Sequence, residues 1–171
     1  MVCERCIAET KNGNRCKKTT CRQYPYCWIH LKSIDGLQVK RSTFPEFGQG
    51  LFATREHLRN TKLTHYSAKE VSNFRDPTSE YVLQIGKKRF INSKDPSNYV
   101  GRYINDSRGT NKQPNARFSR GYNITRKHNR HTVPIYSSKK INKGDELFIS
   151  YGKQFFKQFF KQYLKENKTK K

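Results

Sequence analysis

The sequence Gly-Arg-Tyr-Ile-Asn-Asp-Ser at residues 101–107 is followed by Lys-Gly-Asp-Glu-Leu-Phe-Ile-Ser-Tyr-Gly at residues 143–152, with Pro-Asn-Ala-Arg-Phe at 114–118 between them. Around these motifs the chain consists of short runs, such as Leu37–Lys40 and Tyr81–Ile85, that are bounded by turn residues. Such runs are typical of strands. No long amphipathic pattern interrupts them before the C-terminus. The sequence therefore predicts a small, mostly β domain.

The two motifs resemble a pair of signatures found in one family. Residues 101–107 resemble the Arg-Phe-Ile-Asn-His-Ser motif of SET-domain protein lysine methyltransferases, and residues 143–152 resemble their Gly-Glu-Glu-Leu-Thr-Phe-Asp-Tyr-Gly motif. The resemblance covers roughly residues 37–156, with the SET domain itself at 37–152, and it is closest to the small SET proteins of large DNA viruses. It implies small curved sheets with a pseudoknot, in which the segment Arg102–Asn105 forms a strand. It also implies methylation of a protein lysine, most often on a histone tail, with S-adenosylmethionine as the methyl donor.

The resemblance also implies which residues bind the cofactor. Phe47–Ala53 resembles the family's Gly-x-Gly turn, where glycine permits positive φ and a close approach of backbone donors to a carboxylate. A hairpin could use the same glycines. Asp106 stands where the family has histidine, and His65 where it has the acid of a Glu-Tyr pair. The predicted cofactor-binding residues are Gly48, Gln49, Gly50, Tyr66, Arg102, Asn105, Asp106, Tyr151 and Phe155.

The resemblance implies that Tyr151 and Tyr66 are the catalytic residues. Methyl transfer to an amine requires the donor carbon and the amine nitrogen to be held in line. The amine must also be uncharged, which costs roughly 4–5 kcal/mol at pH 7 for a lysine of ordinary pKa. Ile149 occupies the family's Phe/Tyr switch position, two residues before Tyr151. Because Ile149 has no hydroxyl, we expect dimethylation or trimethylation to be accessible. For Tyr66, simple packing in the core is an equal alternative.

The N-terminal segment 1–33 contains all five cysteines of the chain. Cys6, Cys16, Cys27 and His30 have the spacing C-x9-C-x10-C-x2-H, and three thiolates with one imidazole suit a structural zinc ion. A segment this short would depend on the metal for its folding free energy. Cys3 replacing Cys16 is the alternative ligand set, and Cys21 is predicted to lie outside the site. The segment also resembles a small zinc element of large DNA viruses and phages.

The charge of the chain indicates a polyanionic partner. Lys and Arg number 36 against 13 acidic residues, which gives a formal net charge of +23. Such a charge attracts nucleic acid irrespective of its sequence. A basic enzyme does not complement a basic histone tail, so we expect it to meet its substrate on nucleosomal DNA or viral chromatin. Simple solubility, or an acidic membrane surface, is the alternative explanation of the charge.

The C-terminal segment 153–171 repeats Phe-Phe-Lys-Gln from Gln154 onward. On a helix this repeat places an aromatic stripe opposite Lys157 and Lys161. The stripe predicts an aromatic helix that covers the active site, with Phe155 against the cofactor, or alternatively a helix that only packs on the core. The last residues form a basic tail.

A second class of function fits the same residues. A catalytically inactive SET fold could serve as a zinc-assisted nucleic-acid-binding protein. The chain has no apolar signal segment and no long apolar run, which predicts a protein that is neither secreted nor inserted in a membrane. The expected location is the nucleus, a viral factory or the virion. The oligomeric state, the target lysine and the host compartment stay open.

Overall fold

A computed structural model describes most of the predicted domain and part of the N-terminal segment. The described residues are 4–6, 8–10, 12–20, 27–31, 36–73, 76, 79, 81–94, 99–119, 125–127 and 130–152. The predicted C-terminal helix with Phe155, as well as Cys3 and Cys21, lie outside them.

Nearly all regular structure in the described residues is β-strand. One short helix, α1 (Trp28–Leu31), and two 3₁₀ turns (Pro45–Phe47 and Val100–Tyr103) accompany the strands. The strands are β1 (Glu4–Arg5), β2 (Thr19–Thr20), β3 (Leu37–Arg41), β4 (Gln49–Ala53), β5 (Lys62–Ala68), β6 (Val71–Ser72), β7 (Val82–Gly86), β8 (Arg89–Asn92), β9 (Asn105–Asp106), β10 (Ala116–Phe118), β11 (Thr125–Lys127), β12 (Arg130–Ser137) and β13 (Phe148–Ile149).

Strand β12 is the centre of the largest sheet. Along one edge it pairs with β10 and β11, and along the other with β5, all antiparallel. Val133 lies opposite Tyr66 in this sheet. Smaller sheets consist of β3 with β4, and of β6, β8 and β7 in that order. The prediction of a mostly β domain made of small sheets is confirmed.

The core follows from the alternation of apolar residues in these strands. In β3 the buried residues Leu37 and Val39 alternate with exposed ones, as expected for a strand with one face on the core. Strand β5 is instead buried along almost its whole length. The main core includes Leu63, Ile104 and Ile135, and Tyr151 packs against it. A separate small cluster contains Cys6, Cys16 and Cys27.

A parallel contact joins the two sequence motifs. Strand β13 pairs with β9, with Phe148 opposite Asn105 and Ile149 opposite Asp106. Asn115 supports this contact, since its amide exchanges hydrogen bonds with the backbone of Glu146 and Phe148, each 2.8 Å long. The pseudoknot implied by the resemblance predicts a contact between these two segments.

One local prediction is wrong. The segment Arg102–Asn105 was expected to be a strand, but a 3₁₀ turn occupies Val100–Tyr103 and the strand begins only at Asn105. Gly101 explains the difference, because a Cβ built on it would lie 2.5 Å from the carbonyl oxygen of His65. The turn thus packs its backbone directly on β5.

Candidate active site and metal centre

The glycine turn at 48–50 lies between the two motifs. Gly48 has φ of 68°, and a Cβ added there would meet no atom within 4 Å, so the space beside its backbone is open. Gly50 is crowded instead, because a Cβ there would lie 2.1 Å from Oε1 of Glu146. Gly48 therefore permits the positive φ of the turn, and Gly50 leaves room for the carboxylate of Glu146.

Glu146, in the second motif, is buried and lies against both the glycine turn and Asn105 of the first motif. Its Oε1 accepts a hydrogen bond from Ser42 Oγ at 2.7 Å, and its Oε2 accepts one from the Thr43 N–H at 2.8 Å and one from Thr43 Oγ1 at 2.5 Å. Asn105 Nδ2 also donates to Oε1, at 3.3 Å. A buried carboxylate needs such donors. Glu146 belongs to the motif at 143–152, but no feature of the sequence indicates this role for it.

Asn105 faces the glycine turn. Its Nδ2 donates to the carbonyl oxygen of Gln49 at 3.0 Å, across 56 positions of sequence. The predicted cofactor residues Gln49 and Asn105 are therefore in direct contact.

Tyr151 is held at both ends by the first motif. Its hydroxyl donates to the carbonyl oxygen of Ile104 at 2.5 Å, and its N–H donates to Oδ2 of Asp106 at 2.7 Å. Asp106 in turn forms an ion pair with Arg108. The segment that carries Asn105 therefore also fixes the predicted catalytic tyrosine.

Aromatic rings and one guanidinium surround Tyr66. Its hydroxyl donates to the carbonyl oxygen of Tyr81 at 2.8 Å, and its ring meets Phe118 edge to face. Burial raises the pKa of Tyr66 well above its usual value, with a further contribution from Tyr151 and an opposing one from Arg102. Tyr66 therefore remains a neutral phenol. Arg102 stacks over the ring of Tyr81, 4.4 Å from its centroid.

A cavity of about 310 Å³ lies beside Glu146. Lys112, Lys139 and Lys140 line it together with Thr43 and Glu146. Of the predicted cofactor residues within the described part of the chain, none lines this cavity. The cavity thus combines a basic rim with the carboxylate that supports the glycine turn.

The four predicted metal ligands lie together. The donor atoms of Cys6, Cys16, Cys27 and His30 are all within 4.8 Å of one another. His30 Nδ1 is 3.5 Å from Cys6 Sγ and 3.3 Å from Cys27 Sγ, and the Sγ atoms of Cys16 and Cys27 are 4.0 Å apart. In an ideal tetrahedral zinc site the donor atoms are about 3.5–3.8 Å apart, given the usual Zn–N and Zn–S lengths, and the three distances above lie close to this range. The four residues fit such a site.

The thiols are surrounded by backbone donors. The N–H of Cys27 donates to Cys6 Sγ at 3.2 Å, and the N–H of Lys18 donates to Cys16 Sγ at 3.4 Å. Burial opposes ionisation of Cys6, but hydrogen bonds from the Cys27 and Ala8 backbone and from His30 outweigh it and lower its pKa to about 7. Burial raises the pKa of Cys27. The cluster therefore favours at least one thiolate, the form that binds metal.

Comparison with known proteins identifies the family. The sequence profile of the SET domain matches residues 48–152, more than half of the chain, and the chain belongs to this family. Among curated proteins there is no significant match.

Two solved structures illustrate the similarity. One is a Plasmodium falciparum protein assigned as a histone methyltransferase, with 19% identity and a TM-score of 0.47 over 68% of this chain and 93% of that one. The other is a humanized mutant of the Chaetomium thermophilum Polycomb Repressive Complex 2 bound to the inhibitor GSK126, with 20% identity, a TM-score of 0.53, and coverage of 68% of this chain and 15% of that one. The second likeness supports the fold.

Most of the predicted site residues come together in the structure. Gln49 of the glycine turn contacts Asn105, and Asp106 contacts Tyr151. Tyr151 and Arg102 both influence the pKa of Tyr66. Phe155 lies outside the described residues. Within the described part of the chain, no helix is both long and apolar enough to cross a membrane.

Proposed function

We propose that this protein is an S-adenosylmethionine-dependent protein-lysine N-methyltransferase that acts on a histone tail in nucleosomes or viral chromatin. The observation that supports it is the meeting of three distant segments at one place. Asn105 bonds to Gln49 of the glycine turn, and its neighbours Ile104 and Asp106 bond to Tyr151. Membership of the SET-domain family supports the same reaction class.

The residues suit the cofactor that the family uses. Open space beside Gly48 and the amide of Asn105 would receive it, with Gln49, Gly50, Arg102 and Asp106 around them. When bound, S-adenosylmethionine supplies an electrophilic methyl group on a sulfonium. The chain supplies backbone carbonyls and neutral phenols, and binds and orients the amine with them.

The surroundings of Tyr151 and Tyr66 favour a neutral amine. Both side chains are phenols whose hydroxyls donate to carbonyl oxygens, so neither offers an anion that would stabilise an ammonium group. Burial beside aromatic rings lowers the pKa of an amine. These contacts support roles for Tyr151 and Tyr66 in placing the substrate lysine.

The N-terminal cluster supports a structural zinc site formed by Cys6, Cys16, Cys27 and His30. All four positions are filled by protein donors, as in structural sites, whereas catalytic zinc keeps one position open. Zinc would therefore hold the segment 1–33 together and take no part in methyl transfer.

A calorimetric titration and a transfer assay test the proposal. We expect the protein to bind S-adenosylmethionine and to transfer labelled methyl groups to nucleosomes. Tyr151→Phe removes only the hydroxyl that donates to Ile104, so we expect at least about a 100-fold loss of transfer while cofactor affinity changes less than about threefold. The absence of cofactor binding by the wild-type protein would contradict the proposal.

The net charge of +23 favours a second candidate, an inactive SET fold that binds nucleic acid with help from the zinc element. The same titration separates the two functions. DNA binding without any cofactor binding or transfer is the result expected for the second candidate.

A further inference from the structure

We infer that the Asp106 carboxylate, held in place by Arg108, is the positioning group for Tyr151. This inference rests on the proposed function, in which Tyr151 is catalytic. It concerns a residue at which this chain departs from its family, since Asp106 stands where the SET motif has histidine.

The backbone ladder between β9 and β13 shows why a side chain is needed. Ser107 N–H donates to the carbonyl oxygen of Ile149 at 3.1 Å. In a regular parallel ladder the next bond would run from the Tyr151 N–H to the Ser107 carbonyl. That carbonyl is already occupied, because it accepts from the N–H and the Oγ1 of Thr110 as the chain turns away. The Asp106 carboxylate accepts from Tyr151 instead, at 2.7 Å.

Arg108 fixes the carboxylate in this position. Its Nε and its backbone N–H both donate to Oδ1 of Asp106, at 2.9 and 2.8 Å, and its Nη2 donates to Oδ2 at 2.5 Å. The side chains of Asp106 and Arg108 are only 14% and 27% exposed. A carboxylate bonded at both oxygens by one guanidinium has little freedom to rotate.

The result is that Tyr151 is attached to one short segment by both its backbone and its side chain. Asp106 holds its N–H, and the carbonyl of Ile104, two residues earlier, receives its hydroxyl. Without the carboxylate, the bond from the Tyr151 N–H would be lost, and of these two bonds only the one made by the hydroxyl would remain. The position of the hydroxyl relative to the substrate amine would then vary, and turnover depends strongly on such alignment.

Hydrogen exchange of the Tyr151 amide, followed by NMR, tests the contact without reference to activity. We expect exchange roughly 10- to 100-fold faster in Asp106→Ala than in the wild type, because a charge-assisted hydrogen bond is lost. Arg108→Ala should give a smaller increase, and Asp106→Asn, which keeps one oxygen for the N–H, should fall between wild type and Asp106→Ala. Lys87→Ala, on an exposed turn, is the charge-matched control for Arg108→Ala and should change nothing. Unchanged exchange in both Asp106→Ala and Arg108→Ala overturns the inference.

Methyl transfer by the same variants tests the positioning role. Asp106→Ala and Arg108→Ala should lower kcat about tenfold or more while the dissociation constant for S-adenosylmethionine changes less than about threefold, since any contact through the Asp106 backbone remains. An equal loss of cofactor affinity and kcat would mean general loosening and would overturn the role. If Asp106→Ala does not fold, Arg108→Ala decides. A wild-type protein without transfer activity refutes the proposed function, whereas the exchange data still decide whether Asp106 holds Tyr151.

Discussion

Glu146 is a buried carboxylate, and its contribution to the glycine turn can be tested by substitution. Its carboxylate accepts four hydrogen bonds, and an N–H group faces each oxygen: the Asn105 amide at Oε1 and the Thr43 backbone at Oε2. A glutamine in its place must turn its own NH₂ toward one of these two donors. In either orientation the glutamine NH₂ faces another N–H donor, which pushes Asn105 or Thr43 away.

We therefore expect Glu146→Gln to weaken S-adenosylmethionine binding and to lower stability by about 1.5–3 kcal/mol, the usual worth of hydrogen bonds to a charged group. For a chain of this size the loss corresponds to a fall in Tm of roughly 3–12 °C. Calorimetry and thermal unfolding measure the two effects. Asp145→Asn, which alters the exposed neighbouring acid, should leave both values nearly unchanged. A Glu146→Gln protein with wild-type affinity would show that the carboxylate does not organise the glycine turn.

Ile149 leads to a prediction about the product. It is buried, at 2% exposure, two residues before Tyr151, and it carries no hydroxyl that could restrain a methylated amine. We expect dimethylated or trimethylated lysine after long incubation with excess cofactor, measured by mass spectrometry of the substrate peptide. Monomethyl product alone at every time point would contradict this expectation. Tyr151→Phe serves as the control for background transfer.

At the level of residues, the sequence predicted those with a motif and missed those that act through distant partners. Asn105 and Tyr151 could be proposed as site residues because their neighbours resemble two signatures. Ser42 and Thr43 could not, since their hydrogen bonds reach Glu146 across 104 and 103 positions. The positioning role proposed for Asp106 was equally hidden, because it depends on where the backbone ladder between β9 and β13 ends.

Among the elements, the N-terminal segment is organised differently from the strands that follow it. Its buried cluster consists of Cys6, Cys16 and Cys27, with Ala8 packed against it, and is separate from the main core. Arg5 Nε donates to the carbonyl of Cys16, and Arg15 Nε donates to the carbonyl of Cys6. Because the described residues of this element bury little apolar surface, we expect its folding to depend on metal binding.

We expect one zinc ion per chain, measured by elemental mass spectrometry, and its loss in Cys16→Ser and Cys27→Ser. Removal by a chelator should abolish amide protection of Cys6 and Cys27 while that of Val133 and Ile135 in β12 persists. The reason is that, among the described residues, the cysteine cluster and the main core share no buried residue.

Cys21→Ser and Cys3→Ser are the matched controls for zinc binding, and both should retain the metal. Loss of zinc in Cys3→Ser combined with its retention in Cys16→Ser would favour the alternative ligand set. Unfolding of β12 on chelation would show that the metal supports the whole chain.

Strand positions were predictable wherever apolar residues alternate between turns, as in β3 and β7. The 3₁₀ turn at Val100–Tyr103 was not, because it involves the close approach of Gly101 to β5, a contact between segments that are distant in sequence. Contacts of this kind arise only when the sheets are assembled.

For the molecule as a whole, the excess of positive charge predicts salt-dependent binding to DNA. Lys112 and Lys139 are exposed on the rim of the 310 Å³ cavity, whereas Lys140 pairs with Glu56 at 2.7 Å. If this face meets phosphates, Lys112→Ala with Lys139→Ala should reduce the slope of log affinity against log salt by about 2. Fluorescence anisotropy with duplex DNA measures the slope.

The control for the DNA measurement is a second pair of exposed lysines, Lys87 and Lys88, in the turn between β7 and β8. Their replacement by alanine should leave the slope closer to wild type. An equal reduction by both pairs would mean that DNA meets no particular face.

The proposed substrate context gives a further prediction at this scale. A chain of charge +23 repels a free histone tail, and DNA would bring the two together. We expect methyl transfer to nucleosomes to exceed transfer to free histone at low salt, with the difference shrinking as salt rises. Equal rates on both substrates would contradict delivery by DNA. Radiolabelled transfer assays over a salt series provide the measurement.

The pairing of β9 with β13 also determines when the candidate site can assemble during synthesis of the chain. Proteins are synthesised from the N-terminus, and domains acquire structure as they leave the ribosome. The glycine turn and Asn105 emerge well before Phe148–Ile149, so a nascent chain carries an unfinished edge at β9 until its partner strand arrives. A polypeptide halted before that strand would hold the first half of the site and would lack Tyr151, the proposed catalytic residue. Premature termination should therefore abolish activity completely, and leave a fragment whose unpaired strand invites aggregation.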